Sequence, residues 1–203
     1  MAKYNEREGN SCHAHLSLRN AAGEPVFLDA EQHGPSRLFR QFIAGLLRHA
    51  EETTLFYAPN INSYKRYVAS SFAPTALAWG MDNRTCAFRV VGHGPSLRVE
   101  NRLPGGDVNP YLALAGMIAA GLAGIEGDYA PVAPFTGNAY QAELPRVPAS
   151  LGDAALHFAS SAFAHAAFGA EVVSHYANMA KVELDAFNAA VTDWEKFRSF
   201  ERM

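Results

Sequence analysis

Three short stretches hold the residue types that handle metals and phosphate. In Gly9-Asn10-Ser11-Cys12-His13-Ala14-His15-Leu16-Ser17-Leu18 the pattern alternates. A strand there turns His13, His15 and Ser17 to one face and Ala14, Leu16 and Leu18 to the other. Imidazole ligates divalent metals and hydrogen-bonds phosphate oxygens; the same spacing also suits a metal-free strand with two histidines on its polar side. Arg98, Glu100 and Arg102 alternate likewise, with Leu97 and Val99 opposite. That row is either a solvent-facing strand with internal ion pairs, each contributing ~0–1 kcal/mol, or a metal-binding carboxylate between two guanidinium groups suited to bidentate grip on phosphate and carboxylate. Lys65-Arg66, set between Tyr64 and Tyr67 in a loop ending at Pro74, is either a solvated basic spot or a ligand clamp.

The elements that must position these groups follow from periodicity and punctuation. A turn at residues 20–25 and a short returning strand at 26–28 follow the first strand. Ser36 caps a helix running to His49, with Leu38, Phe39, Phe42, Ile43, Leu46 and Leu47 at helical spacing and Arg37, Arg40 and Arg48 on its solvated face. Residues 86–90 and 97–102 read as strands. Asn109 caps, and Pro110 opens, a nearly uncharged helix to Ile125 that reads as buried on most sides. Residues 128–148 are rich in Pro and Gly and form an ordered surface excursion. The tail is helical: 154–168 ended by Gly169, 170–191, and a short helix from Asp193. His157, His165 and His175 on these helices read as structural.

Composition bounds the rest. The chain has 203 residues, 49% hydrophobic and 18% charged, which is globular and long enough for a sizeable core. A net charge of -3 gives no electrostatic reason to expect nucleic acid. No apolar run is long enough to span a membrane. Cys12 and Cys86 make no disulfide framework, and with no signal peptide in Met1-Ala2-Lys3-Tyr4-Asn5-Glu6 the expected location is the cytoplasm.

Taken together and in order, the motifs resemble those of glutamine synthetases, in particular the glutamine-synthetase-like γ-glutamyl-polyamine and ethanolamide ligases. The matching residues are the histidine stretch 9–18, Asn62-Ser63-Tyr64-Lys65-Arg66, Ala73-Pro74, Asn83-Arg84-Thr85 with Arg89, Arg98-Val99-Glu100-Asn101-Arg102, Asn109-Pro110-Tyr111-Leu112 and the tail through Thr192-Asp193-Trp194-Glu195. The resemblance implies an ATP-dependent ligase that phosphorylates the γ-carboxylate of glutamate and lets ammonia or, more in keeping with this sequence, a polyamine or ethanolamine displace phosphate. It implies His13 and Glu100 as ligands of Mg²⁺ or Mn²⁺ and His15, Ser17, Arg84, Arg89 and Arg98 around ATP. Arg66, Arg102 and the Gly9 backbone would lie on glutamate, with Arg84 and Arg66 in the chemistry. Positioning and positive charge are what phosphoryl transfer requires.

The sequence departs from that family in places. Members are about twice as long, so residues 1–203 read as the C-terminal portion of a single catalytic domain, without its N-terminal β-grasp domain and first strands, and Met1 as an internal methionine of a longer chain. The expected fold is α+β, an antiparallel sheet backed by helices. Alone the chain is expected to be inactive and to self-associate; the complete protein is expected to form a homo-oligomeric ring. Glu8 stands where glutamine synthetases usually have Asn, and no lysine occurs at residues 94–97. Phe72 stands where true glutamine synthetases carry a flap glutamate; it either packs its loop or offers an organic amine an apolar, cation-accepting ring. The rival class is a non-catalytic structural or binding protein on the same scaffold.

Overall fold

The computed structural model describes residues 4–29, 31 and 34–200; Met1 lies outside them. The order is β1 (Ala14–Leu16), α1 (Arg37–Arg48), α2 (Ala50–Tyr57), α3 (Ile61–Tyr64), β2 (Ala76–Met81), β3 (Cys86–Val91), β4 (Arg98–Asn101), α4 (Pro110–Glu126), α5 (Leu151–Ser160), α6 (Ala162–Phe168), α7 (Ala170–Ala189) and α8 (Asp193–Ser199). This is the expected mixture of helices and a small open sheet. The strand order is β1-β4-β3-β2.

The sheet is mixed, a correction to the all-antiparallel expectation. β1 and β3 flank β4 antiparallel, but β2 and β3 run parallel with an irregular register. Parallel neighbours normally need a long crossover. Here the turn 82–85 doubles back along β2, which is possible because residue 80 is glycine: a Cβ there would meet the Phe135 carbonyl at 2.6 Å and Asn83 Cβ at 2.9 Å. β2 was not evident from periodicity because its first five residues are all buried, leaving no alternation to read.

The first strand is shorter than the stretch 13–18. Its ladder with β4 runs from Ala14 to Leu16, so His13 precedes it and Ser17 follows it. Residues 26–28 form no strand among the described residues; isolated bridges Arg19–Pro25 and Leu28–Pro35 hold that segment instead.

Ser36 caps α1 as expected, its hydroxyl accepting from Phe39 N at 3.1 Å, and Phe39, Phe42, Ile43 and Leu46 point into the core. α1 meets α4 almost backbone to backbone. A Cβ on Gly45 would lie 2.1 Å from the Ala120 carbonyl, and one on Gly124 would lie 2.2 Å from that of Gln41. These helices, α2 and the sheet share one core that includes Phe39, Phe42, Phe88, Val90, Val99 and Met117.

Other elements differ from expectation for local reasons. The loop 59–74 holds the one-turn helix α3, where Asn60 N donates to Ser63 Oγ at 3.0 Å. The helix expected over 154–168 starts at Leu151 and breaks at Ser161, whose extended backbone ends α5 and whose hydroxyl caps α6. α4 is buried on one side only, and Tyr111, Leu114, Ile118 and Leu122 lie exposed along the other. The excursion 128–148 is ordered because it straps the β2 edge: Phe135 N donates to Trp79 O at 2.7 Å and Leu77 N to Pro145 O at 2.8 Å. No helix of the described residues is long and apolar enough to cross a membrane.

Candidate active site

Strand register sets three of the ionisable residues in one row. His15 on β1 opposes Glu100 on β4, and Glu100 opposes Arg89 on β3. Glu100, only 4% exposed at its side chain, is the hub. Its Oε1 lies 2.9 Å from His13 Nδ1 and 3.2 Å from Arg102 Nη1; its Oε2 lies 3.1 Å from Arg89 Nη1. His15 Nε2 is 3.7 Å from Oε1, and Arg98 Nε donates to His15 Nδ1 at 3.3 Å. His13 and Glu100 therefore lie on one face of one sheet, as a shared site requires.

The electrostatics follow from the burial. Desolvation pushes the Glu100 carboxyl up, but Arg102, Arg89 and His13 outweigh it and hold the pKa below the ordinary value. Burial, with Arg102 and Arg66 nearby, depresses the His13 imidazole despite Glu100 beside it. At neutral pH the pair is a carboxylate and a neutral imidazole, the forms that ligate metals.

Arg66 and Arg102 are both nearly fully buried. Arg66 donates to the Leu103 carbonyl and lies 4.9 Å over the Tyr67 ring. The Nε atoms of Arg66 and Arg102 are buried without a partner. A Cβ on Gly9 would meet the Arg66 side chain at 3.3 Å, so glycine permits this close approach. Gly9, His13, Arg66, Arg102 and Phe72 line one small cavity of about 80 Å³. The basic loop residue Arg66 is thus buried against its neighbours and not a solvated basic spot. Phe72 is 65% exposed and in the left-handed region at φ 60°, as is Ser70 at φ 65°. Such backbone persists where its surroundings fix it; here Arg102 Nη2 donates to Phe72 O at 2.9 Å.

Two candidates fall outside this group. Arg84 is exposed on the turn after β2 and lines a separate cavity of about 680 Å³ with Asp82, Asn83 and Thr136. Ser17 is exposed beyond the end of β1. Two participants were missed. Asp82, at φ 47°, pairs with Arg89, and that guanidinium holds its carboxyl below the ordinary range. Tyr140 in the excursion donates its hydroxyl to Ala73 O at 3.0 Å, at the base of the Phe72 loop. A roomier apolar cavity of about 760 Å³, lined by Leu47, Trp79, Tyr129 and Phe135, contains none of these groups.

The Glu100 carboxylate is a donor of the kind a hard divalent cation takes, and the His13 imidazole ligates divalent metals more generally. Among the described residues no group of three or more His, Cys, Asp or Glu is arranged to hold a metal. The two therefore fit as part of a coordination shell.

Residues 1–199 match the glutamine synthetase catalytic domain family. A gamma-glutamylethanolamide synthetase of Streptomyces coelicolor is 64% identical over 203 residues, covering 100% of this chain and 44% of the relative. A glutamate–isopropylamine ligase of a Pseudomonas species is 44% identical, covering 95% of this chain and 43% of that one. Among solved structures, GmaS without ligand superposes with a TM-score of 0.87 at 32% identity, over 97% of this chain and 46% of that chain. GmaS in complex with ADP gives 0.85 at 32% identity, over 95% and 46%. The chain spans less than half the length of these relatives, and it belongs to the glutamine synthetase family, within the catalytic domain.

Proposed function

We propose that these residues form the C-terminal portion of a single catalytic domain in an ATP-dependent ligase joining the γ-carboxylate of glutamate to an organic primary amine. One observation carries this reading. Arg89 and Arg102 converge on a single buried carboxylate, Glu100, and the buried Arg66 lines one small cavity with Arg102 and His13, while among the described residues exposed Asp82 is the further countercharge on Arg89. Such a surplus of fixed guanidinium suits anionic ligands that bring their own charge, a carboxylate and a phosphate chain.

In this reading His13 and Glu100 would supply two ligands to a magnesium or manganese ion, which would contribute positive charge to offset that of ATP. Arg89 and Arg98 hold the phosphates, and His15 and Ser17 face the nucleotide. Arg66, Arg102 and the Gly9 backbone orient glutamate, and Arg84 stabilises the transferring phosphoryl group. Fixed donors aimed at developing charge need no rearrangement at the moment of reaction, which is where their rate advantage lies. Phe72 offers the incoming amine an apolar ring. The names of the two relatives, a gamma-glutamylethanolamide synthetase and a glutamate–isopropylamine ligase, favour an organic amine over ammonia.

The described residues bring together two candidate metal donors and two arginines on Glu100 with Arg66 beside them, and we expect no ligation from this segment alone. The complete protein is a cytoplasmic homo-oligomer in this reading. The test is phosphate release and γ-glutamyl amide formation by the complete protein with ATP, glutamate and a panel of ammonium, isopropylamine, ethanolamine and putrescine. An organic amine is expected to give the highest kcat/KM. If ammonium does, Phe72 is packing; if nothing is ligated, the non-catalytic rival stands.

A further inference from the structure

The small cavity behind the Phe72 loop has a wall that the proposed chemistry leaves unused. Glu8 lines it together with His13, Arg66, Ser71, Phe72 and Arg102. Of the other polar side chains there, Arg66, Arg102, His13 and Ser71 are engaged. Arg66 donates to Leu103 O, Arg102 holds Glu100 and Phe72 O, and His13 lies on Glu100. The Ser71 hydroxyl donates to Val68 O at 2.6 Å. Glu8 is exposed and makes no hydrogen bond or ion pair with any described residue. It is thus a free carboxylate facing a cavity with three cationic or basic groups on its inner wall, and it neutralises none of them.

Aliphatic amines are ammonium cations at neutral pH. A cavity walled by Arg66 and Arg102 repels them, and Phe72 brings no charge to offset that; like charges drawn together in a partly desolvated site are costly. We propose that Glu8 is the specificity residue that receives the ammonium group of the amine co-substrate, with the amine's carbon chain against Phe72. The carboxylate and the ring divide the recognition: Glu8 reads the charge and Phe72 reads the carbon. The ligand class is a primary alkylammonium, and the inference rests on the ligase reading above.

The experiment is steady-state kinetics of the complete protein with ethanolamine as the varied amine. Glu8→Gln keeps the size and removes the charge, and is expected to raise the ethanolamine KM by about tenfold or more, the scale of one charge-assisted hydrogen bond. The KM values for glutamate and ATP are expected to stay within about twofold, and Glu8→Asp to recover part of the loss. In the unmodified protein, N,N-dimethylethanolamine is expected to compete with ethanolamine, and its uncharged isostere 3-methylbutan-1-ol is not. An unchanged ethanolamine KM in Glu8→Gln, an equal rise in the glutamate KM, or equal inhibition by the charged and uncharged isosteres overturns the assignment while the ligase reading survives. Failure of the unmodified protein to form any γ-glutamyl amide removes both.

Discussion

Replacing Glu100 by Gln tests whether one carboxylate holds the site together. The perturbation is isosteric, so cavity terms are small, and what changes is charge. In the structure Glu100 neutralises part of a cluster in which Arg102 is 3% exposed, with contacts of 2.9, 3.1 and 3.2 Å to His13, Arg89 and Arg102. The figure of ~0–1 kcal/mol for exposed pairs does not apply to a side chain this buried. Removing one partner of a buried ion pair leaves the other charge uncompensated and costs ~3–5 kcal/mol. Arg89 retains Asp82, so the loss falls mainly on Arg102, which keeps only the Phe72 carbonyl. The expectation is therefore the lower end, about 3 kcal/mol, and with a urea dependence of ~1–3 kcal/mol per molar the midpoint falls by about 1–3 M.

Urea denaturation of the complete protein measures it, with Arg102→Met made in both backgrounds. The cost of Glu100→Gln is expected to shrink by at least ~1 kcal/mol once Arg102 is gone, since the two share one contact. Added phosphate is expected to stabilise Glu100→Gln more than the unmodified protein, because the vacated guanidinium can bind it. Turnover is expected to be nearly abolished. A loss below about 1 kcal/mol with no coupling to Arg102 would refute the picture of a buried hub.

Three further outcomes follow from particular contacts. Tyr140→Phe removes the hydroxyl on Ala73 O and is expected to cost about 1 kcal/mol and to raise the amine KM severalfold with the ATP KM unchanged; equal shifts in all three substrates would make Tyr140 merely structural. Gly45→Ala places a methyl 2.1 Å from the Ala120 carbonyl, so the helices must part; the overpacking cost of ~1–3 kcal/mol outweighs the ~1 kcal/mol gain in helix propensity, and a raised melting temperature would contradict the contact. Burial pushes the hydroxyl of Tyr67 up to about 12, and burial also raises those of Tyr57 and Tyr64. The folded state then holds protons the unfolded chain has released, so stability is complete below pH ~10, the unfolded value. It falls as pH rises toward 12, by ~1.4 kcal/mol per unit for each tyrosine. Melting temperatures flat from pH 9 to 12 would show these hydroxyls to be solvated.

What the sequence displayed was what is decided locally. The caps at Ser36 and Asn109 lie within three residues of the amides they serve, and the alternation of Arg98, Glu100 and Arg102 shows directly which side chains share a face. The motifs in register pointed to the family and to a common face for His13 and Glu100. What stayed hidden depends on pairs distant in the chain. Asp82 was unremarkable until the doubled-back turn set it on Arg89. Tyr140 is 67 residues from the carbonyl it holds. Glu8 lies in a stretch without periodicity, and its nearness to Phe72 is purely tertiary. α2 was invisible because its apolar and polar residues are spread around its axis and most are buried.

The two edges of the sheet are treated differently, and that asymmetry bears on the function. β2 is strapped by the excursion, whose amides and carbonyls meet Leu77 and Trp79, so nothing can add there. β1 is three residues long, and among the described residues no strand pairs with its outer side. An open edge is a pairing site for further chain unless it is blunted, and β1 has no proline or charged aliphatic side chain to blunt it. The same strand carries His15 and is entered through His13, so any strand added to β1 arrives beside the His13–Glu100 pair. Two donors are too few for a hard cation, which takes six or more ligands. Further donors, and carboxylates to balance Arg66, Arg89 and Arg102, would enter from the direction in which the sheet can still grow. A pair of candidate metal donors and, beside it, an unpaired strand edge are what the proposed ligase requires if its centre is assembled from this segment and additional strands.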